Sequence, residues 1–166
     1  MIDSHCHLDH ETLYENIKNI LIRSKEIGIT KLLTICTTFK SFENITNLVK
    51  IDPIIFGTFG IHPHECENEV ASKDLIIENI NNNKRIIGVG ETGLDFFYNH
   101  SAKKEQVASF INHIEAAIRL DFPIIVHSRN AENETFEILS SYKKYNPKIL
   151  MHCFTGSLIF AKNLLT

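Results

Sequence analysis

The chain has 166 residues, of which 43% are hydrophobic and 22% charged, and its formal net charge at pH 7 is −3. This composition is that of an ordinary globular protein, and the charge argues against binding nucleic acid by bulk electrostatics. The longest apolar runs are far too short to span a membrane, and the N-terminal stretch MIDSHCHLD has no secretory signal pattern. We therefore expect no membrane association.

The cysteines indicate a reducing compartment. The four of them are widely spread and form no CxxC pair: Cys6, Cys36, Cys66 and Cys153. This spacing predicts reduced thiols in a cytoplasmic protein rather than a disulfide framework or a zinc ribbon. No paired base singles out any of them as a nucleophile.

Short apolar runs alternate with longer stretches of helical periodicity along the whole chain. The predicted strands are 1–6, 31–37, 54–61, 85–90, 123–127 and 148–153. The predicted helices follow them at 13–27, 42–49, 73–83, 107–118, 132–144 and 158–165. This alternation implies an α/β fold with a parallel sheet and right-handed crossovers. A doubly wound open sheet and a (β/α)₈ barrel both fit, and periodicity alone does not choose between them.

Side chains that commonly bind metals close four of the predicted strands. They are His5 and His7 on the first strand, Glu91 on the fourth, His127 on the fifth and His152 on the sixth. The carboxyl ends of parallel strands gather on one face, where active sites form. We therefore predict that these side chains converge on a metal site.

Each of these histidines also has a purely structural interpretation. An isolated His-x-His pair could be incidental, and His127 or His152 alone is better explained as a hydrogen-bonded core histidine. Their recurrence at equivalent strand ends favours the metal site. Asp3 and Asp9 flank the first pair and are candidates to accept a ring N–H.

Three further residues are candidates for contact with a substrate. Asp95 follows Glu91 in the motif GVGETGLD, whose glycines permit close approach of backbone and ligand, but a turn or cap role fits it equally well. His62 could contact a phosphate, or be an ordinary surface histidine. Arg129 could hold a phosphate oxygen with its planar donors, or form a salt bridge at a helix start.

Five motifs, taken together and in order, resemble the TatD family of metal-dependent DNases. They are DSHCHLD, GIHPHE, IGVGETGLDFFY, FPIIVHSRNA and MHCFTGS, and the resemblance covers essentially the whole chain. It implies a TIM barrel of the metal-dependent hydrolase (amidohydrolase) type. It also implies hydrolysis of DNA phosphodiesters by a metal-activated water, with DNA or another phosphodiester as the substrate.

The resemblance also assigns the site. It implies that His5 and His7 hold one divalent metal ion, that Glu91 is catalytic and bridges to a second ion, and that His127 and His152 hold the second. His62, Asp95 and Arg129 match motif positions near the substrate. The two ions are Mg, Mn or Zn: the family is usually described as Mg-dependent, whereas imidazole ligands suit Mn and Zn better.

The predicted barrel is incomplete. About six strand–helix units are present, whereas a TIM barrel has eight and typically about 250 residues. We therefore expect a single domain over residues 1–166 whose C-terminal part is missing, and a monomer when it is complete. A further aspartate that TatD proteins carry near their last strand has no counterpart in this sequence.

Two other functions remain open. One is another amidohydrolase-type reaction on an ester or amide, and the other is an inactive truncated fragment. A doubly wound nucleotide-binding protein is disfavoured, because neither GxGxxG nor GxxxxGK[ST] follows the first strand.

Overall fold

A computed structural model describes residues 1–165 of the chain. The structure is built on one six-stranded sheet, whose strands are β1 (Ile2–Cys6), β2 (Lys31–Thr34), β3 (Ile55–Phe59), β4 (Ile86–Asp95), β5 (Ile124–Arg129) and β6 (Ile149–Met151). Each strand is hydrogen-bonded to the next one in sequence, and all five pairings are parallel.

This strand order decides between the two architectures that periodicity left open. A doubly wound sheet reverses its strand order at a switch point, whereas here the order runs without reversal from β1 to β6. An unreversed parallel order is that of a (β/α) barrel, and the predicted α/β barrel-type fold is confirmed with six of its units. Among the described residues, β1 pairs only with β2, and β6 only with β5.

Helices follow most of the strands. They are α1 (Glu11–Glu15), α2 (Ile17–Glu26), α3 (Phe39–Ile51), α4 (Lys73–Asn81), α5 (Lys103–Leu120), α6 (Glu132–Ser141) and α7 (Leu158–Leu164), with short 3₁₀ turns at Pro63–Glu65 and Lys143–Tyr145. Within residues 1–165, no helix combines the length and apolarity that crossing a bilayer requires.

The first predicted helix is two helices in the structure. Asn16 lies between α1 and α2 with φ −100° and ψ 14°, outside the helical geometry. Its side-chain amide donates to the carbonyl of Thr12 at 2.9 Å, which satisfies the backbone locally and competes with helix continuation. The predicted end at Gly28 is confirmed, since α2 stops just before it and Gly28 has φ +83°.

The core lies between the sheet and helices α3, α4 and α5. Ile45 of α3, Ile76 of α4 and Phe110 and Ile114 of α5 are fully buried against it. Burying each such side chain contributes roughly 1.5–3 kcal/mol before the entropy cost of ordering it. This packing fixes the strands, and so fixes the side chains at their carboxyl ends.

Strand β4 extends further than the sequence predicts, and it carries both Glu91 and Asp95. The glycines in GVGETGLD do not end the strand but shift its register against β5 between Val89 and Thr92. At Gly93, φ is +136°, and an added Cβ would lie 2.0 Å from the carbonyl oxygen of His127. Glycine is therefore required for this close approach of β4 to the strand that carries His127.

Candidate metal centre

The carboxylate of Glu91 is the centre of a cluster of imidazoles at the carboxyl edge of the sheet. It is buried, and its Oε1 lies 3.1 Å from His127 Nδ1 and 3.6 Å from His62 Nε2. Its Oε2 lies 3.4 Å from His5 Nε2, and His152 Nε2 is 4.0 Å from Oε1. Side chains from β1, β4 and β5, and from the segments after β3 and β6, thus meet at one point.

Two sets of three residues in this cluster are close enough to hold a metal ion. One is His5, Glu91 and His152, the other is His62, Glu91 and His127, and in each set the potential ligand atoms lie within 4.8 Å of one another. Both sets share Glu91, whose two oxygens could bridge two ions. The distances group His5 with His152 and His62 with His127, a different pairing from the one implied by family resemblance.

His5 provides a direct test of whether the cluster fits a cation. Its Nε2 is buried and has no hydrogen-bond partner among the described residues. Its ring stacks on His152 with the centroids 3.6 Å apart and the planes 9° from parallel. A buried imidazole nitrogen without a partner is costly, and a divalent cation would use its lone pair. The donor set therefore fits a divalent metal.

His7 lies beside this cluster. Its ring centroid is 5.2 Å from that of His5, and its Nδ1 lies 3.2 Å from the carbonyl oxygen of Ile35. A carbonyl only accepts, so the proton is on Nδ1 and the Nε2 lone pair is available. This is the arrangement by which metal-binding histidines are commonly oriented.

Within the described part of the chain, neither flanking aspartate accepts a ring N–H, and that prediction is wrong. Asp3 accepts from the backbone N–H of His5 at 3.2 Å. Asp9 accepts from the Ser41 hydroxyl at 2.7 Å, so it ties the first loop to α3 instead.

Asp95 is both a turn residue and a partner of the cluster. It is fully buried, and its Oδ2 accepts from His64 Nε2 at 2.8 Å and from His127 Nε2 at 3.0 Å. Its Oδ1 accepts from the backbone N–H groups of Phe97 and Tyr98, at 3.0 Å each. One carboxylate thus orients two histidines and shapes the turn that follows.

His64 and Gln106 belong to this arrangement but were not among the predicted site residues. The His-Pro-His spacing in GIHPHE was a usable signal for His64. Gln106 of α5 is fully buried, and its amide accepts from Asp95 N–H at 2.8 Å and donates to Asp95 C=O at 3.1 Å. Nothing in the local pattern connects it to Asp95, so this contact required the tertiary structure.

The charges in the cluster are strongly coupled. Burial alone would raise the pKa of Glu91, but the adjacent rings of His127 and His5 outweigh it and hold the pKa well below its ordinary value. The same balance, with backbone N–H groups and His64 as donors, lowers the pKa of Asp95 to about 2. Both carboxylates are therefore ionised at neutral pH.

The histidines divide into two kinds. Burial lowers the pKa of His62 to about 4, and it also lowers the pKa of His152. Burial acts the same way on His127, but Glu91 and Asp95 on either side of its ring outweigh it and raise its pKa. His62 and His152 are thus neutral near pH 7, the form in which imidazole binds a metal.

Arg129 does not form the salt bridge that a helix-start role would give it. Within residues 1–165 no carboxylate lies within salt-bridge distance of its guanidinium, which instead lies 4.4 Å from the Phe97 ring centroid and 4.8 Å from that of Tyr98. The side chain is exposed, and its strand position is paired with Asp95. Its donors are therefore free to face a substrate.

Two of the four cysteines are poorly suited to act as nucleophiles. All four are free thiols, and burial raises the pKa of both Cys6 and Cys36 to about 12. A thiol with such a pKa stays protonated and is a weak nucleophile.

The fold and the cluster define a class: a barrel-type α/β protein with a carboxylate-centred imidazole site that suits divalent metals. The sequence profile of the family described as "TatD related DNase" matches residues 2–166. The chain belongs to the TatD family.

Several named relatives are similar over nearly the whole chain. An uncharacterized metal-dependent hydrolase of Buchnera aphidicola subsp. Acyrthosiphon pisum is 40% identical, covering 99% of this chain and 66% of the relative. The uncharacterized metal-dependent hydrolase YcfH of Escherichia coli K12 is 32% identical over 93% of this chain and 59% of the relative. A protein of Escherichia fergusonii named 3'-5' ssDNA/RNA exonuclease TatD is 28% identical over 95% of this chain and 60% of the relative.

Solved structures agree on the fold. The crystal structure of YjjV, a TatD homologue from Escherichia coli, superposes with a TM-score of 0.84 at 24% identity, covering 99% of this chain and 64% of that one. A TatD-family hydrolase from Entamoeba histolytica gives 0.87 at 18% identity, covering 99% of this chain and 62% of the other. This chain therefore spans about three fifths to two thirds of the length of the relatives it matches.

Proposed function

We propose that this chain carries the metal centre of a hydrolase that cleaves phosphodiester bonds in single-stranded nucleic acid, DNA in particular. One observation carries the proposal: two metal-capable sets of side chains share the carboxylate of Glu91. A shared carboxylate between two cation positions is the arrangement of two-metal phosphodiester hydrolases. The relatives support the substrate class, since one of them is named an exonuclease for single-stranded DNA and RNA.

Two divalent ions would occupy the cluster. His5 and His152 with Glu91 would hold one, and His62 and His127 with the same carboxylate would hold the other, with His7 beside the first. When bound, the ions supply positive charge that polarises the phosphate and promotes ionisation of a water molecule. The imidazole-rich donor set favours Mn²⁺ or Zn²⁺ over Mg²⁺.

The chain's own residues hold and orient the reactants. Glu91 stays ionised because its pKa is depressed, so it provides a permanent negative charge at the centre. Asp95 holds His64 and His127 in fixed orientations through hydrogen bonds of 2.8 and 3.0 Å. Arg129 has a planar set of donors that matches two oxygens of a phosphate, which an ester or amide substrate does not offer.

Replacing Glu91 by glutamine tests the metal centre. The change keeps the shape of the side chain and removes the charge shared by the two metal positions. We therefore expect Mn²⁺-dependent hydrolysis of a fluorescent single-stranded oligonucleotide to fall by more than about 100-fold, because removing a residue that only orients a metal ligand already lowers activity about 10–100-fold. The matched control is Glu43→Gln, which changes an exposed carboxylate on α3 that forms an ion pair with Lys40. Equal turnover in both variants would overturn the metal-centre assignment.

Substrate choice separates this proposal from its alternatives. The unaltered chain should hydrolyse single-stranded DNA with Mn²⁺, Zn²⁺ or Mg²⁺, and leave small esters and amides intact. Cleavage of a nitrophenyl ester or an amide without cleavage of DNA or RNA would instead establish the other amidohydrolase-type activity. No cleavage of any substrate with any of these metals would establish an inactive chain.

A further inference from the structure

Two adjacent aromatic side chains stand exposed beside the candidate metal centre. Phe97 is 53% exposed and Tyr98 48%, directly after the end of β4. Their rings contact each other edge to face, with centroids 4.8 Å apart. Fully burying one such ring contributes on the order of 1.5–3 kcal/mol, so leaving both half in water forgoes roughly the same amount in all.

The turn that presents these rings is built by a residue of the cluster. Asp95 accepts from the backbone N–H groups of both Phe97 and Tyr98 through Oδ1, while its other oxygen holds His64 and His127. The Tyr98 ring also contacts His64 edge to face at 5.5 Å. One buried carboxylate thus joins the turn that carries the aromatic pair to two histidines of the cluster.

Arg129 extends the pair into a larger stacking surface. Its guanidinium carbon lies 4.4 Å from the Phe97 centroid and 4.8 Å from the Tyr98 centroid, within the range of a cation–π contact. We call Phe97, Tyr98 and Arg129 together the aromatic platform. A planar cation beside aromatic faces is a surface on which nucleobases stack regardless of their sequence.

The charges beside the platform favour a base over a phosphate. The groove next to it is lined by Phe97, Arg129, Asn130 and Thr155, but also by Glu132 and Glu134. These carboxylates repel a phosphate, so the phosphate is directed to the imidazole cluster and Arg129. An uncharged ring with amino and carbonyl edges is compatible with the groove, because Asn130 and Thr155 can donate and accept hydrogen bonds.

We propose that the aromatic platform binds the nucleobase next to the phosphodiester being cleaved, by stacking on the ring of Phe97. The ring of Tyr98 lies perpendicular to Phe97 and is stacked on His100, so it borders this position and does not share the base. This inference rests on the proposed function, since it names a base-binding position of the same site. It assigns the unpaired base of a single-stranded substrate to the platform and the adjacent phosphate to the metal centre. A base paired within a duplex has both faces covered by its neighbours and could not occupy the platform.

Kinetics with a base-free substrate test the inference. We compare a single-stranded oligonucleotide with one whose terminal residues are abasic, using the unaltered chain, Phe97→Leu and the control Tyr145→Leu, which changes another exposed aromatic outside the site. Phe97→Leu should raise KM about tenfold for the base-bearing substrate, with kcat and the KM for the abasic one unchanged. Tyr145→Leu should match the unaltered chain on both substrates. Equal KM values for both substrates in the unaltered chain would overturn the inference and leave the proposed function standing.

A binding measurement decides the matter even if no cleavage occurs. A 2-aminopurine base at the end of the oligonucleotide loses fluorescence when it stacks on an aromatic ring. With Mn²⁺ present, the unaltered chain and Tyr145→Leu should quench it, and Phe97→Leu should not. Absence of cleavage with this quenching pattern would contradict the proposed function alone, whereas absence of quenching by the unaltered chain would overturn the platform.

Discussion

The ring of His127 connects two carboxylates that serve different parts of the site. Its Nδ1 lies 3.1 Å from Glu91 and its Nε2 lies 3.0 Å from Asp95. Glu91 faces the candidate metal positions, while Asp95 shapes the turn of Phe97 and Tyr98. A change at His127 would therefore disturb both the metal centre and the aromatic platform, which makes it a poor choice for separating their roles.

A second histidine, His113, supports the site from inside the core. It is fully buried on α5, where its Nε2 accepts from the backbone N–H of Ile61 at 3.1 Å and its Nδ1 donates to the carbonyl of Ser109 at 2.7 Å. Ile61 directly precedes His62. The neutral ring of His113 therefore fixes the segment that carries one of the candidate ligands.

This histidine should make folding sensitive to acid. Burial lowers the pKa of His113 to about 4, whereas an unfolded histidine titrates near 6.5. The unfolded chain therefore binds more protons below pH 6.5, and stability is lost as the pH falls from 6.5 towards 4, by roughly 3 kcal/mol in total. Urea unfolding at several pH values between 7 and 4 measures this slope.

Replacing His113 by glutamine should lower the free energy of unfolding at pH 7 and flatten its dependence on pH. His10→Gln is the control, because His10 is exposed and its side chain does not cap the helix that follows it. A slope in His113→Gln as steep as that of the control would contradict the assignment.

For single residues, the sequence predicted which side chains belong to the site better than it predicted which residues they contact. The histidines and Glu91 were identified because side chains that commonly bind metals recurred at strand ends. In a parallel sheet these ends lie at one edge, so such side chains come close together. The roles of Gln106 and His113 were not predictable, because each depends on a contact between α5 and another segment. For His113 the ordinary interpretation of a lone histidine on an apolar helix face, a satisfied core residue, describes what the structure shows.

Among the elements, β4 has the largest influence on the site. It is 10 residues long, carries both Glu91 and Asp95, and pairs with β5 as far as Arg129. The sequence placed most strands correctly from their apolar runs but ended this one at Gly90. Glycines usually mark a turn, and only the neighbouring strand shows that here they permit close packing.

Helix α5 begins without a side-chain cap, which offers a test of its local energetics. Ala102 is the N-cap residue and is exposed, and Glu105 stands three residues later. Ala102→Ser would place at the N-cap a hydroxyl that can accept from an N–H of the first turn, so we expect the free energy of unfolding to rise by about 1 kcal/mol. Chemical denaturation at pH 7 measures it.

The matched control for this helix is Ala108→Ser. Ala108 is exposed in the helix interior, where serine is a weaker helix former than alanine, so stability should fall by a few tenths of a kcal/mol. Equal changes in both variants would show that capping does not limit this helix.

On the scale of the whole molecule, the cluster connects the two edge strands of the sheet. His5 comes from β1 and His152 follows β6, yet their rings stack at 3.6 Å. The alternation of strands and helices predicted the parallel sheet, but neither the closing curvature nor this contact, because both depend on how far each strand is rotated against its neighbour. Strand order was the additional information that distinguished a barrel from an open sheet.

Metal binding should therefore stabilise the entire fold. An ion held by β1, β4 and β6 binds the folded state only, and at 100 times its Kd it adds about 2.7 kcal/mol. For a chain of this size that corresponds to a rise in Tm of about 5–10 °C, which thermal melting with and without Mn²⁺ measures. His152→Ala should lose most of the rise, while His10→Ala should keep it. A Tm that does not respond to Mn²⁺ in the unaltered chain would contradict a cation site shared by these strands.

The stacked pair of His5 and His152 also has a consequence for biosynthesis. A ribosome synthesises His5 long before His152, at a speed of about 5–20 residues per second. Until His152 is made, His5 and Glu91 lack the third member of their candidate ligand set. An ion at this position would therefore be bound only after translation has passed β6, so that its loading would report that the chain has been made and folded from β1 to β6. The set of His62, Glu91 and His127 is complete earlier, once β5 has been made.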